Sequence, residues 1–292
     1  SYHPFFGWVC SQMPSRIDAY EIDRMHNKPN VIRECFMPNS ELKNKVVIVT
    51  GAAGGIGQII SQEFALAGAT VVLTSRNEEA LQEIEKKLSG TSTLSIQTDI
   101  TKPDSVENLI NAAVSEFGHI DVIINNAGGG VMPCEPEDTS YEDWVRMIDV
   151  NLTGTFNCCM AAGKQMIKQC SGKIINISST AGTKGNPGLL HYSAAKAGIL
   201  SLSSNLAYSW AKYNICVNTV VPGLIATPAM IGYGVIPPEK TEDGEEVPRL
   251  SRPPGPIDVA NMCCFLASPA ADMITGEEFP VRAWFKLDRF WE

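Results

Sequence analysis

The sequence predicts one α/β domain, a doubly wound parallel sheet with helices on both faces. From residue 44 onward, short apolar runs rich in Val, Ile and Thr alternate with longer segments in which apolar residues recur at helical spacing. The short runs show no alternation of polar and apolar residues, which indicates strands buried on both faces, as in a parallel sheet covered by helices. A glycine-rich turn directly follows the first run. In doubly wound folds, the first strand–helix turn is the usual position of a phosphate-binding loop.

The predicted elements follow one another in a regular order. The predicted strands are Val46–Thr50, Thr70–Leu73, Leu94–Gln97, Val122–Asn125, Ile174–Ile177 and Cys216–Val221. The predicted helices are Ile56–Ala67, Glu78–Leu88, Ser105–Phe117, Tyr141–Gln169, Tyr192–Tyr213 and Asp258–Leu266. Because strands and helices alternate along the chain, the strands are expected to lie parallel in one sheet.

Composition excludes several classes of function. The chain has 292 residues, a formal net charge of -9 and a pI near 5.1, whereas nucleic acids and anionic membranes require a basic surface. No apolar run approaches the ~20 residues of a membrane span. The nine cysteines are scattered without CxxC spacing, which favours a reduced, cytoplasmic environment. No spacing of His, Cys and acidic residues indicates a metal site. The expected partner is a small-molecule substrate.

The chain divides into three segments by pattern. Residues 44–276 form the predicted dinucleotide-binding and catalytic domain, with a substrate loop at 228–256. Residues 1–43 do not share the strand–helix rhythm and contain six aromatic residues among several prolines. They are either a disordered leader or an arm docked on the same subunit or on a neighbour, and the aromatic content favours the docked arm. Residues 277–292 form an aromatic, charged tail.

The glycine-rich turn, Thr50-Gly51-Ala52-Ala53-Gly54-Gly55-Ile56-Gly57, predicts a dinucleotide site. Gly51 permits a sharp exit from the first strand, and Gly55 lets the backbone approach a pyrophosphate. Gly57 lets the next helix pack closely on the sheet. The helix that starts near Ile56 directs its N–H groups at the phosphates.

The end of the second strand predicts which nicotinamide cofactor is used. NAD-dependent enzymes usually place an acid here to bind the ribose 2′-hydroxyl, but no acid lies between Val71 and Asn77. Ser75 and Arg76 are instead suited to a 2′-phosphate, since a guanidinium makes charge-assisted hydrogen bonds. NADP(H) is therefore favoured, with NAD(H) as the alternative. Asp99 and Ile100, which end the third strand, are expected to flank the adenine.

A second group of residues predicts proton transfer. Tyr192 and Lys196 are four positions apart in a predicted helix and therefore share one face. The Lys196 ammonium is expected to lower the pKa of the Tyr192 phenol so that it exchanges protons near neutral pH. Ser179 follows the fifth strand and is expected to donate a hydrogen bond to a substrate oxygen. Asn151 is expected to hold a water that relays protons to Lys196.

Together these residues resemble the short-chain dehydrogenase/reductase family, with its T-G-x-x-x-G-x-G and Y-x-x-x-K motifs. Asn125-Asn126-Ala127-Gly128 resembles the family's N-N-A-G element, and Pro222-Gly223-Leu224-Ile225-Ala226-Thr227 its P-G-x-x-x-T segment. The resemblance covers residues 44 to about 276 and implies a hydride-transferring enzyme. It implies that Asn151, Ser179, Tyr192 and Lys196 form the catalytic tetrad. The cofactor-binding residues that it implies, beyond the glycine turn and the second and third strands, are Asn126, Ala127, Gly128, Tyr192, Lys196, Pro222, Gly223 and Thr227.

The resemblance also implies a homo-oligomer, a tetramer or a dimer, formed through the outer faces of two long helices. Two departures limit the resemblance: the leader is longer than usual, and Val281-Arg282 stands where the family commonly has V-D-G-G.

Apolar residues of the substrate loop favour a bulky ketone such as a steroid, with a 3-oxoacyl thioester and a sugar or polyol as alternatives. A dinucleotide-sensing scaffold is the non-enzymatic alternative. His191, next to Tyr192, is expected to line the pocket mouth or to hydrogen-bond locally.

Overall fold

The architecture is a seven-stranded parallel sheet, which confirms the predicted fold class. The computed structural model describes residues 42–130, 133–186, 188–236, 239–240 and 243–283. The strands lie in the order β3-β2-β1-β4-β5-β6-β7. After β3 the chain crosses back over the sheet and places β4 on the other side of β1, so the strand order reverses at the boundary of β1 and β4. Their bounds are β1 Val46–Thr50, β2 Thr70–Ser75, β3 Thr93–Gln97, β4 Val122–Asn125, β5 Gly172–Ile177, β6 Ile215–Pro222 and β7 Glu278–Val281.

Helices cover both faces of this sheet. Their bounds are α1 Gly55–Leu66, α2 Glu78–Lys87, α3 Pro103–Phe117, α4 Tyr141–Ile148, α5 Gly154–Gln169, α6 Leu190–Trp210, α7 Pro228–Gly232 and α8 Pro256–Ala267. A core of buried residues from α3, α5 and α6 packs on one face of the sheet, on side chains such as Ile48, Ile123 and Ile174. Helices α1 and α8 pack against each other. This burial of both faces explains the uninterrupted apolar strands.

The prediction of one continuous helix over Tyr141–Gln169 is wrong, because the helix is interrupted in its middle. Helix α4 ends at Ile148, a five-residue π-helical turn covers Asp149–Thr153, and α5 begins at Gly154. Apolar periodicity continues through the turn, so the sequence pattern does not reveal it. The turn matters because Asn151 lies within it and is fully buried, and such π turns often mark functional sites.

A seventh strand was not predicted. Strand β7 pairs with β6 in parallel register, with Thr219 opposite Glu278 and Pro222 opposite Val281. The departure from V-D-G-G leaves the geometry of the last strand open in the sequence. Because β7 is an edge strand, Pro280 can be accommodated where its missing N–H faces away from β6. Four residues of the predicted tail therefore belong to the sheet.

Two other expectations concern the N-terminal arm and membrane spans. The arm predicted at residues 1–43 lies outside them except for Leu42 and Lys43, so the docked arm stays a prediction. Among the described residues, no helix has both the length and the hydropathy needed to cross a membrane.

Candidate active site

The glycine-rich turn lies between β1 and α1, with Gly51 in the left-handed region at φ 65°. Gly54 occupies the N-cap of α1, and no side chain caps that end of the helix. The first N–H groups of a helix have no partner within the helix and carry a partial positive charge. The turn is thus arranged to receive an anionic group.

The close approaches around these glycines test whether a dinucleotide fits. A Cβ added to Gly57 would collide with the Gly51 carbonyl oxygen and lie 2.6 Å from Asn126 Nδ2, so packing alone requires this glycine. A Cβ added to Gly55 would lie 3.5 Å from Thr227 Cβ, an ordinary contact. Packing therefore does not require Gly55, whereas a pyrophosphate lying on the backbone would. The arrangement fits the predicted cofactor.

Thr50 connects the glycine turn to the segment after β4. Its hydroxyl oxygen accepts hydrogen bonds of 3.0 Å from the backbone N–H groups of Asn126 and Ala127. The Asn126 side chain donates in turn to the carbonyl oxygens of Thr50, at 3.0 Å, and Gly51, at 3.2 Å. These bonds hold the predicted cofactor residues Asn126 and Ala127 beside the turn. Sequence reasoning assigned no role to Thr50, although it stands first in the glycine motif.

The predicted adenosine-binding residues lie at the carboxyl ends of β2 and β3. Arg76 is exposed, and the Ser75 hydroxyl accepts a hydrogen bond of 3.2 Å from Asn77 N–H. Burial acts to raise the pKa of Asp99, but hydrogen bonds from Thr101 and the nearby charge of Arg76 outweigh it and lower the pKa. The side chain of Ile100 is buried in the core. An open groove of about 470 Å³ adjoins this end of the site; its lining residues are Arg76, Thr101, Tyr141, Glu142, Val145, Arg146, Asp149 and Val150.

Ser179 and Tyr192 meet at the carboxyl end of β5. The loop after β5 brings Ser179 to the first turn of α6, where its side chain lies close enough to Tyr192 to act on the pKa of the phenol. Burial raises the pKa of the Tyr192 phenol above its ordinary value, and the nearby Ser179 hydroxyl offsets only part of the effect. The expected lowering by Lys196 is thus not seen in the ligand-free protein. The physical reason is that desolvation disfavours the phenolate, while Lys196 Nζ lies 5.6 Å from the ring centroid.

Lys196 is buried beneath Tyr192, four residues later on α6. Its Nζ donates a hydrogen bond of 2.9 Å to the Ile177 carbonyl oxygen, and its own carbonyl accepts one of 2.7 Å from the Ser178 hydroxyl. Burial lowers the pKa of Lys196 from 10.5 to about 8. A lysine with this pKa can gain or lose a proton close to physiological pH.

Asn151 is held by the backbone on both sides of its amide. Its Oδ1 accepts a hydrogen bond of 2.7 Å from Gly129 N–H, and its Nδ2 donates to the carbonyl oxygen of Met147 at 3.2 Å. A Cβ added to Gly128 would lie 2.7 Å from Asn151 Oδ1 and 3.3 Å from Lys196 Nζ. Asn151 and Lys196 therefore converge on Gly128, at the end of the predicted N-N-A-G element.

The predicted P-G-x-x-x-T segment completes this edge of the sheet. Pro222 ends β6, and Gly223 N–H donates to the Val281 carbonyl oxygen at 3.0 Å. Thr227 caps α7 by accepting a hydrogen bond of 3.3 Å from Met230 N–H, and it contacts the Gly55 position. All four predicted catalytic residues and the predicted phosphate-binding turn thus lie at the carboxyl edge of one sheet. A carbonyl bound between them would meet a hydroxyl donor pair, Ser179 and Tyr192.

We expect the protein to become more stable when the buried ammonium group of Lys196 is removed. Its folded pKa lies below the ordinary 10.5, so between pH 8 and 10.5 the unfolded chain binds more protons and stability rises with pH. Below pH 8 the burial of the charged Lys196 side chain lowers the free energy of unfolding by roughly 3 kcal/mol. We expect Lys196→Met to raise the melting temperature of the ligand-free protein below pH 8, and the gain to fade toward pH 10.5. Melting curves across this range, with Lys212→Met as the exposed control, check it; a destabilised Lys196→Met protein below pH 8 would contradict it.

Comparisons with known proteins agree with the geometry. The family model described as short chain dehydrogenase matches residues 45–233. A 3-oxoacyl-[acyl-carrier-protein] reductase from Synechocystis sp. is 38% identical over 254 residues, which cover 82% of this chain and 96% of that protein. The corresponding reductase of Chlamydia muridarum is 39% identical, over 83% of this chain and 98% of that protein. The crystal structure of an NAD⁺-bound xylitol dehydrogenase superposes with a TM-score of 0.77 at 29% identity, over 84% of this chain and all of that one.

Proposed function

We propose that this protein reduces the ketone of a 3-oxoacyl thioester. The chain belongs to the short-chain dehydrogenase/reductase family and is an NAD(P)-dependent oxidoreductase acting on CH–OH or C=O groups. The observation that carries the chemistry is the placement of the Ser179 and Tyr192 side chains beside each other, with the buried Lys196 Nζ 5.6 Å from the Tyr192 ring centroid. The nicotinamide cofactor, when bound, supplies the hydride.

Each residue of the group has a distinct task in this proposal. Ser179 donates a hydrogen bond to the ketone oxygen and polarises the carbonyl, and Tyr192 transfers its phenolic proton to that oxygen as charge develops there. Because burial raises the pKa of Tyr192, the phenol stays protonated and is ready to act as the acid. Lys196 and Asn151, which converge on Gly128, return a proton to Tyr192 from solvent.

The thioester is preferred over the other substrate classes because of the relatives. Proteins that match this chain at 38–39% identity over nearly their whole length are named 3-oxoacyl-[acyl-carrier-protein] reductases. Their names favour the thioester over the steroid that the sequence pattern first favoured. Exposed apolar side chains near the site, Leu190, Ile231 and Tyr233, provide a surface on which an acyl chain can be buried.

A substrate panel tests this assignment. Oxidation of NADPH and of NADH is followed with acetoacetyl-CoA, a longer 3-oxoacyl-CoA and a 3-ketosteroid, and reduction of NADP⁺ and of NAD⁺ is followed with xylitol. The proposal expects kcat/KM for the longer 3-oxoacyl thioester to exceed that for the steroid and the polyol by at least tenfold, ~1.4 kcal/mol in transition-state binding. Equal or higher efficiency with the steroid or xylitol would overturn the thioester assignment and leave the reaction class intact.

NADP(H) is proposed over NAD(H) because of Arg76. We expect Arg76→Ala to weaken NADPH binding about 10- to 100-fold, which corresponds to the ~1.5–3 kcal/mol of a charge-assisted hydrogen bond to the 2′-phosphate. NADH carries no 2′-phosphate, so its affinity should be unchanged. Titration of both cofactors into the wild type and the variant measures this, with Arg146→Ala as a control on the same groove. Equal losses for the two cofactors would show that Arg76 does not read the phosphate.

A homo-oligomer is also proposed. Helices α4 and α5 expose several large apolar side chains, namely Tyr141, Trp144, Val145 and Phe156, and patches of this kind commonly form interfaces. A dimer or tetramer that buries them is expected in light scattering of the full chain, and Trp144→Glu should shift it toward the monomer. A monomeric wild type would refute the proposal.

A cytoplasmic location is proposed on the cysteine content.

A further inference from the structure

His191 directly precedes Tyr192 at the start of α6 and is only 2% exposed. Its Nδ1 is buried and has no hydrogen-bond partner among the described residues. A buried polar atom that loses its hydrogen bond to water without replacing it destabilises a protein by about 1–3 kcal/mol. An apolar side chain of similar size would avoid this cost, so the imidazole is not explained by stability. Local violations of this kind are concentrated at functional sites.

The position of His191 on α6 places it inside the protein. His191, Ala195, Ile199 and Ser203 follow one another at intervals of four residues and are all buried, which puts them on one inward face of the helix. Tyr192 is turned from His191 by about 100° and lies beside Ser179, which acts on the pKa of its phenol. A change in the packing of His191 therefore rotates or shifts the turn that carries the Tyr192 hydroxyl.

Helix α4 forms the other side of this junction. It packs against α6, and Asp143 of α4 lies within electrostatic range of His191. One turn after Asp143, at Met147, the backbone carbonyl accepts a hydrogen bond from the Asn151 side chain. His191 thus lies where the segment that carries Tyr192 meets the segment that holds Asn151.

We propose that His191 is a positioning residue, whose imidazole between α6 and α4 fixes the Tyr192 hydroxyl against Ser179 at some expense of stability. It acts through Tyr192 and does not itself touch the substrate. The inference rests on the proposed function only for its kinetic readout.

Two variants separate positioning from packing. His191→Leu fills the volume and removes the buried polar atoms, whereas His191→Asn keeps a polar atom near the place of Nδ1. We expect the Leu variant to melt at the same temperature as the wild type or higher, with kcat about 10- to 100-fold lower, as small misplacements of catalytic groups produce. The KM for the cofactor should be unchanged, and the Asn variant should recover most of kcat. Crystal structures should show the Tyr192–Ser179 hydrogen bond in the wild type and the Asn variant and its loss in the Leu variant.

Ser193→Ala is the matched control, because the Ser193 hydroxyl is also buried without a partner among the described residues and flanks Tyr192 on its other side. Its kcat should equal that of the wild type. The proposal is overturned if His191→Leu leaves kcat and the Tyr192–Ser179 bond unchanged, or if its melting temperature falls together with kcat. It is also overturned if the Asn variant behaves like the Leu variant, or if Ser193→Ala loses as much activity. If no thioester is reduced at all, the proposed function fails, and the crystal structures still decide the role of His191.

Discussion

Tyr192→Phe is expected to lower kcat by about 10²–10⁴-fold, the usual contribution of a positioned general acid. The substitution removes only the phenolic oxygen and keeps the ring near Lys196 Nζ. The affinity for NADPH, measured by titration, should therefore stay within about twofold, ~0.4 kcal/mol at most. The melting temperature should change by little, because Ser179 and Tyr192 are only partly buried and water can take the place of the lost hydroxyl.

A second tyrosine on the same helix serves as the control for this prediction. Tyr208 is 91% exposed near the far end of α6, and Tyr208→Phe should turn over at the rate of the wild type. Retention of more than a tenth of wild-type kcat by Tyr192→Phe would remove Tyr192 from the chemistry. Loss of NADPH binding in that variant would instead show that the phenol supports the cofactor site as a whole.

The glycine turn gives the second large effect, through a pair of variants with opposite expectations. In Gly57→Ala, the added Cβ collides with the Gly51 backbone oxygen, which no side-chain movement can relieve. The ligand-free protein should therefore lose about 1–3 kcal/mol of stability or more. In Gly55→Ala, the added Cβ makes only ordinary contact with Thr227, so the ligand-free protein should melt as the wild type does. Its affinity for NADPH should fall at least tenfold, ~1.4 kcal/mol, because the methyl group occupies the path of the pyrophosphate.

Denaturant unfolding and cofactor titration of both variants measure these effects. Each variant is the control for the other, since they place the same methyl group two residues apart on one turn. Unchanged NADPH affinity in Gly55→Ala would contradict the assignment of this turn to the pyrophosphate. A fully stable Gly57→Ala protein would contradict the close packing of α1 on the turn.

Much of the site could be predicted because its signals are local. Gly51, Gly55 and Gly57 are fixed by spacing within one turn, and Tyr192 and Lys196 by one helical interval. Ser179 lies just after a strand whose apolar run is unambiguous. All strands of the predicted sheet are parallel, so the segments that follow them are expected at its carboxyl edge.

What the sequence did not predict depends on tertiary context. The π turn around Asn151 keeps the apolar periodicity of a helix, and only its bonds to Gly129 and Met147 distinguish it. Strand β7 contains Pro280, which an edge position tolerates and a central one does not. The pKa of Tyr192 was expected to fall because Lys196 is one helical turn away. In the structure burial dominates, and burial is not visible in a local pattern.

In the proposed reaction, hydride passes to the ketone carbon while Tyr192 protonates the ketone oxygen. The most direct test is to incubate the protein with a 3-oxoacyl thioester and NADPH that carries deuterium at the transferable position, and to analyse the product by mass spectrometry. We predict a 3-hydroxyacyl thioester with one deuterium on carbon 3, formed by the wild type and by Tyr208→Phe and nearly absent with Tyr192→Phe. Product without deuterium on that carbon, or equal labelling by Tyr192→Phe, would contradict the account.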